Sequence, residues 1–248
     1  MELRMPNCRG FREGSIRATK RTQSSIAISS DGERWYLIDA SHDLSHQIEA
    51  TKELHPTKLR ETKIHAVLLT HAHLDHVLGL AALKLGGVVD DVRTLIYGTK
   101  RTKEYLLDNP IFKEGVNEGN WMDIPLNKCE EIIGGDGRSS GLTFEAFNVP
   151  HRAISTKVPT FSEEVEGDTV GYRIEERATG KSMVYVPDIR EITPLILEKM
   201  EDADVLIFDG TFYEDEELIK LGISRKTSRE LGHVPMMGPD GASTIFAT

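Results

Sequence analysis

The stretch that decides the fold reads IHAVLLTHAHLDHVLGL and occupies residues 64–80. Its first six residues form a largely apolar run, which predicts a short buried β-strand. Three histidines and one aspartate follow within the next seven residues, and the closing Val-Leu-Gly-Leu predicts the first turns of a helix. A cluster of this kind directly after a buried strand predicts a metal site rather than a polar surface loop, which is the alternative interpretation.

The spacing of these polar residues has a chemical reason. His71 and His73 are separated by one residue, so in an extended backbone their rings point the same way and can hold one cation. Asp75 and His76 come after the turn and can hold a second cation nearby. Imidazole nitrogen and carboxylate oxygen suit zinc, manganese or iron, so we predict one or two divalent metal ions. Asp75 is also a candidate catalytic residue.

Residues 70–76, which read THAHLDH, resemble the signature of the metallo-β-lactamase superfamily. The resemblance implies an α/β fold, a four-layer αββα sandwich, with a one- or two-metal site at one edge. The pattern of elements along the chain agrees, since predicted strands and helices alternate in a way that fits two sheets with helices outside. We expect a single domain over residues 1–248.

Two later strands end in residues that suit the same site. A strand predicted over residues 142–149 ends in Pro150-His151, which matches the third metal-binding segment of the superfamily; the alternative is a surface histidine. A hairpin predicted over residues 169–186 is followed by Pro187-Asp188. A carboxylate at a strand end can present one oxygen to each of two metals, so Asp188 is the predicted bridge; the alternative is a helix N-cap.

Four further features are predicted from their positions in the chain. His233 follows a glycine at the predicted start of a helix, where it is a candidate proton donor or substrate contact, or else a loop residue. Asp39 ends a predicted strand and either orients a ligand histidine through its second ring nitrogen or caps a turn. The sequence also predicts a buried strand over residues 205–209 and a flap over residues 155–168.

Composition limits the classes of function. The chain has 248 residues, with 30 Lys and Arg against 40 Asp and Glu, which gives a net charge of −10 and disfavours a nucleic-acid partner. It contains no apolar run near the roughly 18 residues that span a bilayer, and no apolar signal-peptide core near Met1. Two cysteines, Cys8 and Cys129, do not make a disulfide framework. A cytoplasmic protein without a membrane partner is therefore the expectation.

The wider chain resembles the coenzyme PQQ synthesis protein B family. The similar segments appear in the same order through most of the chain, at residues 7–15, 21–27, 31–35, 209–212 and 229–233. The resemblance implies a role in making pyrroloquinoline quinone (PQQ), a redox cofactor derived from a Glu-Tyr pair in a short peptide. Members are described both as carriers of PQQ or its precursor and as metal-dependent oxygenases acting on the tyrosine, so the implied partner is a small molecule or short peptide.

Two other functions fit the same motif. The first is a dinuclear-metal phosphodiesterase or hydrolase, similar to the tRNA 3′-processing or cyclic-phosphate enzymes, in which His233 protonates the leaving group. The acidic composition argues against tRNA as its substrate. The second is a non-catalytic binding protein that keeps the fold.

The ends of the chain carry a last expectation. In the superfamily a final histidine of the second metal lies beyond the segment of His233, and no histidine follows it here. We expect either a chain lacking terminal elements or a divergent member, with Asp75, His76 and Asp188 as the protein ligands of a loosely held second ion. Uncovered sheet edges would favour a homo-oligomer.

Overall fold

The computed structural model describes residues 6–59, 61–85, 94–113, 115–117, 119–152 and 165–246, with only the backbone of residues 84 and 85. Most of the flap predicted over residues 155–168 lies outside the described residues. Its last residues, 165–168, are described and lead into the strand that begins at Val170.

Among the described residues, two five-stranded sheets form the centre of the fold, in the orders β1-β2-β3-β4-β5 and β10-β9-β8-β7-β6. The strands of the first sheet are β1 (Ile26–Ile28), β2 (Trp35–Ile38), β3 (Ile64–Leu68), β4 (Leu95–Gly98) and β5 (Trp121–Asp123). Those of the second are β6 (Cys129–Ile133), β7 (Ser139–Asn148), β8 (Val170–Glu176), β9 (Ser182–Val186) and β10 (Val205–Phe208). The first sheet is parallel from β2 to β5, whereas the second is antiparallel except for its β9-β10 pair.

Helices connect the strands and cover the sheets. The α-helices are α1 (Pro6–Arg12), α2 (Leu44–Ala50), α3 (Leu74–Val77), α4 (Leu80–Leu85), α5 (Lys100–Asp108), α6 (Pro110–Lys113), α7 (Pro194–Met200), α8 (Glu217–Lys220) and α9 (Ala242–Ile245). Short 3₁₀ helices occupy Lys52–Leu54 and Arg229–Leu231. No described helix is long and apolar enough to cross a membrane.

The apolar core is divided into layers by the two sheets. One cluster contains Ile38 and Leu68 of the first sheet together with Phe144 and Tyr172 of the second, so it fills the space between them. A second cluster joins the opposite face of the first sheet to α2–α5, and a third joins the second sheet to α7 and α9. The predicted αββα sandwich is therefore confirmed, and β3 is buried along its whole length, as its apolar sequence predicted.

The functional residues gather because several strands end at the same edge. β2 and β3 are parallel, and β7 and β9 share one direction because each is antiparallel to β8. Asp39 follows β2, His71 comes shortly after β3, His151 follows β7, and Asp188 follows β9. Strand direction thus brings residues that are far apart in sequence to one end of the sandwich.

The helix predicted to begin at residues 77–80 is divided in two, because α3 and α4 are separated at Gly79. The Gly79 N–H donates a hydrogen bond of 2.8 Å to the carbonyl of Ala40. A Cβ atom at position 79 would lie 2.2 Å from the carbonyl oxygen of Ser41. Because Gly79 has no side chain, the segment between α3 and α4 can pack closely against the backbone that follows β2.

We expect Gly79→Ala to lower the free energy of unfolding by about 1–3 kcal/mol, because the new methyl group overlaps backbone that has little freedom to move. Urea denaturation measures the change. Gly210→Ala is the matched control, since a Cβ atom there meets only the Met236 sulfur at 3.7 Å. Equal stability of the two variants would show that the Gly79 contact is not a packing constraint.

The strand predicted over residues 205–209 is present as β10, but the prediction that it is buried is wrong. β10 pairs with β9 on one side, and no described strand pairs with its other edge. Val205 is 50% exposed and Leu206 is 37% exposed. An apolar run predicts a strand but does not reveal whether both of its faces are covered.

Candidate metal centre

Four side chains that the sequence assigned to a metal site lie together at the strand ends. His71, His73, His151 and Asp188 each offer one ligand atom, and these atoms all lie within 4.8 Å of one another. The His71 Nε2 atom lies 2.9 Å from His73 Nδ1 and 3.5 Å from Asp188 Oδ2. The His151 Nε2 atom lies 3.6 Å from the same carboxylate oxygen. Three imidazoles and one carboxylate are a donor set suited to zinc and related divalent ions.

The state of these side chains fits a bound cation. The His151 Nε2 atom is buried and has no hydrogen-bond partner, although buried polar atoms are normally satisfied. Burial lowers the pKa of His73 to about 4 and that of His151 to about 4, which keeps both rings neutral at physiological pH. Neutral imidazole is the form that binds metal, so the residues present fit a divalent ion.

Asp188 faces both halves of the predicted site. Its Oδ2 atom is directed at His71 and His151, whereas its Oδ1 atom lies 3.5 Å from His76 Nε2. Burial by itself raises the pKa of this carboxyl, but the hydrogen bond from His71 and the nearby histidines outweigh it, so the pKa is well below its usual range. The carboxylate therefore stays ionised with one oxygen toward each group, the geometry that a bridge requires.

Asp75 and His76 form the second group of predicted ligands. The His76 Nε2 atom lies 4.0 Å from Asp75 Oδ2, and the Asp75 side chain is 54% exposed. This half of the site is more open to water than the half around His71, which is fully buried. We therefore predict that an ion held by Asp75, His76 and Asp188 binds more weakly than one held by the three-histidine group.

Asp39 connects the second group to the core. Its Oδ2 atom accepts a hydrogen bond of 2.9 Å from His76 Nδ1, and its Oδ1 atom accepts one of 2.8 Å from the Thr70 N–H. The Thr70 hydroxyl contacts Asp39 and lies 2.9 Å from His71 Nδ1. Burial disfavours a charged His76 ring, but Asp39 reverses the effect and raises the pKa of His76 to about 9. Asp39 thus orients His76, a predicted ligand, through its second ring nitrogen, rather than capping a turn.

We expect Asp39→Ala to weaken binding of the more loosely held ion by about 10- to 100-fold, because His76 loses the partner that fixes its ring. The measurement is a metal titration in the presence of a competing chelator. Asp39→Asn is the matched variant, because it keeps the side-chain shape and an oxygen able to accept the Thr70 N–H. An Asp39→Ala protein that binds metal like the wild type would show that the carboxylate has no such role.

His233 lies beside the cluster, but the helix predicted to begin there is wrong. It follows the 3₁₀ helix Arg229–Leu231 and Gly232, and its ring centroid is 5.3 Å from that of His151. The His233 Nδ1 atom donates a hydrogen bond of 2.8 Å to Asp209 Oδ2. Burial disfavours the charged ring, but Asp209 outweighs it and raises the pKa of His233. The protonated ring, which is the form that a general acid needs, is therefore favoured beside the predicted metal ligands.

Gly232 joins His233 to the predicted ligand His151. Its carbonyl oxygen accepts a hydrogen bond of 2.7 Å from His151 Nδ1, which leaves His151 Nε2 directed at the cluster. The φ angle of Gly232 is 103°, and a Cβ atom there would lie 2.8 Å from the His151 ring. Both the backbone conformation and the close approach therefore require glycine at this position.

Sequence reasoning did not assign a role to two residues of this site. Asp209 lies after β10 and appeared in the sequence only as the end of a predicted strand and within a similar segment. Gly232 appeared only as the neighbour of His233 and within another similar segment. The available signal was an acidic residue at a strand end, the same signal that identified Asp188. Of the four other histidines, His42 is half exposed beside Asp43, and the His55 ring contacts the carbonyl of Ile48.

A layered αββα sandwich with a His/Asp cluster at the strand ends defines a protein of metallo-β-lactamase fold, and residues 34–248 match the beta-lactamase superfamily domain. Among curated proteins, the chain is 37% identical to coenzyme PQQ synthesis protein B of Methylococcus capsulatus, over 99% of this chain and 79% of that protein. It is 36% identical to the protein of that name from Xanthomonas axonopodis, over 93% of this chain and 74% of that protein. The chain belongs to the coenzyme PQQ synthesis protein B family, which confirms the resemblance found in the sequence.

A solved structure supports the same assignment. The crystal structure of Zn²⁺-bound PqqB from Methylobacterium extorquens matches with a TM-score of 0.86 and 34% sequence identity. The match covers 99% of this chain and 79% of that chain. That relative binds zinc, and the His/Asp cluster of the present chain has a donor set that suits a divalent metal.

Proposed function

We propose that this chain is a metal-dependent enzyme of PQQ biosynthesis that acts on the tyrosine-containing precursor. Membership of the family supports the pathway. The observation that carries the enzymatic role is the His233–Asp209 pair beside the ligand cluster, in which Asp209 orients His233 and raises its pKa, a feature that a carrier does not need. Zinc, iron and manganese all suit the donor set.

The residues divide into two roles. His71, His73, His151 and Asp188 would hold one ion, and Asp75 and His76, with Asp188 as the bridge, would hold a second. A bound divalent ion supplies Lewis acidity to an oxygen of the substrate. The chain's own contribution is orientation: Asp39 and Gly232 fix the rings of His76 and His151 through their outer nitrogens.

His233 would exchange a proton with the substrate. Its Nδ1 atom is engaged by Asp209, so Nε2 is the nitrogen that can deliver a proton to a substrate oxygen. Asp209 is itself fixed by the N–H groups of Ile189 and Thr211, at 3.0 and 2.9 Å. The carboxylate is therefore held in place to orient His233 and to favour the protonated form of its ring. Asp75, half exposed at the mouth of the cluster, would contact the substrate as well as a metal.

The test is complementation of a PQQ-producing host whose own copy of the gene is deleted. We expect the wild-type chain and His42→Ala to restore PQQ output, and His73→Ala to fail at equal protein level. Failure of the wild-type chain to restore output in a host that its own gene rescues would refute the role in PQQ biosynthesis. Full rescue by His73→Ala would instead exclude a metal-dependent step and leave a carrier.

A second candidate is a phosphodiesterase, favoured by the position of the His233–Asp209 pair beside the cluster. In that reaction His233 would protonate the leaving oxygen of a phosphate ester. Hydrolysis of bis-p-nitrophenyl phosphate by the metal-loaded protein distinguishes the two candidates. Turnover that depends on both His73 and His233, together with no PQQ phenotype, would support the phosphodiesterase.

A further inference from the structure

The segment that carries His233 is short and has little regular structure of its own. Residues 227–233, here called the His233 loop, contain the 3₁₀ helix Arg229–Leu231 and then Gly232, whose backbone is left-handed. The loop brings the Gly232 carbonyl to His151 and the His233 ring beside it. A 3₁₀ turn has poor hydrogen-bond geometry, so contacts with other parts of the chain must fix the position of this loop.

Asp215 fixes the beginning of the His233 loop through hydrogen bonds from two residues. Its Oδ1 atom accepts one of 2.7 Å from the Ser228 hydroxyl and one of 3.1 Å from the Arg229 N–H. Its backbone carbonyl accepts another, of 2.8 Å, from the Ser228 N–H. Ser228 is only 2% exposed, so its hydroxyl cannot exchange this carboxylate for water without a change in the loop.

Ser228 connects this anchor to the far end of the loop. Its carbonyl oxygen accepts hydrogen bonds of 3.0 Å from the Leu231 N–H and 2.9 Å from the His233 N–H. Gly232 lies between these two donors, and its own carbonyl accepts the hydrogen bond from His151 Nδ1. A shift of Ser228 would therefore move the Gly232 carbonyl and the His233 backbone together.

The segment that contains Asp215 also holds the other side of the loop. Asp209, which precedes Asp215 in this segment, accepts a hydrogen bond of 2.8 Å from the His233 ring. Between the two aspartates, the carbonyls of residues 212 and 213 accept hydrogen bonds of 2.9 Å from the N–H groups of residues 236 and 237. Two aspartates of one segment therefore hold the loop at two points, Asp209 at the His233 ring and Asp215 at the backbone.

We propose that Asp215 is a positioning residue of the metal centre. By holding Ser228, it keeps the Gly232 carbonyl against His151 and thereby the His151 ring in place. The same contacts place His233, and for that residue the inference rests on the proposed enzymatic role. The alternative is that Asp215 only closes a surface turn and contributes to stability.

Two replacements of Asp215 test whether its acceptor oxygen is what holds the loop. Both side-chain hydrogen bonds end on the same oxygen, Oδ1, and both donors belong to the loop. Asp215→Asn keeps a carbonyl oxygen that can accept them, whereas Asp215→Ala removes it. The matched control is Glu216→Ala, because Glu216 is the next residue, is exposed, and makes no side-chain capping bond to the helix that follows it.

Two measurements on the full chain give the readouts. Amide hydrogen exchange of residues 228–233, followed by mass spectrometry, should become at least about tenfold faster in Asp215→Ala because the loop opens more readily, while the amides of β8 keep the wild-type rate. Zinc binding, titrated against a competing chelator, should weaken by about 3- to 10-fold, less than the loss of a direct partner of a ligand would cause. In Asp215→Asn and Glu216→Ala both values should stay within about twofold of the wild type.

Several outcomes would overturn the role of Asp215. Unchanged exchange in Asp215→Ala would show that the loop does not need this anchor, and faster exchange with unchanged zinc affinity would leave only a structural turn. An Asp215→Asn protein as impaired as Asp215→Ala would show that the acceptor oxygen is not the cause.

A second variant covers the case in which Asp215→Ala does not fold. Ser228→Ala removes one donor and keeps the backbone hydrogen bonds, so it should change both readouts in the same direction by a smaller amount. Wild-type values in Ser228→Ala would count against the anchor. None of these measurements needs turnover, so failure of the anchor and failure of the enzymatic role are observed separately.

Discussion

We expect the His73→Ala variant to bind metal at least about 100-fold more weakly than the wild type, since even residues that merely orient a ligand contribute 10- to 100-fold. His73 supplies one of four ligand atoms that lie within 4.8 Å of one another, and its removal leaves three. Metal content after desalting, measured by elemental analysis, should fall by about one equivalent of the tightly held ion.

His42→Ala is the matched control for this loss. His42 is also a histidine near the metal-site edge, but its side chain is half exposed and pairs with Asp43 rather than with the cluster. Its metal content should equal that of the wild type. If the His73→Ala protein retains wild-type stoichiometry through desalting, the assignment of His71, His73, His151 and Asp188 as one site is incorrect.

The second large effect is expected at His233. Its replacement by alanine should lower turnover by about 10²–10⁴-fold while metal content stays unchanged, because the variant loses a positioned proton donor but no predicted ligand. Parallel measurements of turnover and metal content separate this role from ligation. Loss of metal in His233→Ala would show that His233 is a metal ligand. Unchanged turnover would show that its role is structural.

Asp209→Asn provides a graded version of the same test. Asp209 raises the pKa of His233, so activity that needs the protonated ring persists in the wild type until pH rises through that elevated pKa. With the charge removed, the pKa of His233 falls and activity should decline at lower pH. A pH profile with the same alkaline limb as the wild type would indicate that Asp209 does not control the proton on His233.

The sequence was informative wherever the signal is local. The apolar strand followed by THAHLDH predicted the position of the cluster, because a strand and its following turn are adjacent in the chain. The resemblance of that motif to the superfamily signature implied the sandwich. Asp188 could be identified because a carboxylate directly after a strand is recognisable without a partner. The ligand assignments themselves stay predictions, although the structure brings the six residues together.

Sequence was less informative wherever the contact is between distant segments. Asp39 and His76 are separated by 37 residues, and His151 and Gly232 by 81, so neither pair can be recognised before strand directions are known. The exposure of β10 could not be predicted for a similar reason. Its apolar sequence is compatible with a central or an edge position, and only the sheet order distinguishes the two. The break at Gly79 reflects a tertiary contact with the backbone after β2.

The ligands of the predicted tight site come from both sheets, His71 and His73 following β3 and His151 and Asp188 following β7 and β9. An ion bound there acts as a reversible cross-link across the sandwich. By mass action, each tenfold rise in free metal above the dissociation constant adds about 1.4 kcal/mol to the free energy of unfolding. The supply of metal would then control the stability of the folded chain as well as the proposed metal-dependent activity, so a cell short of the ion would lose both together.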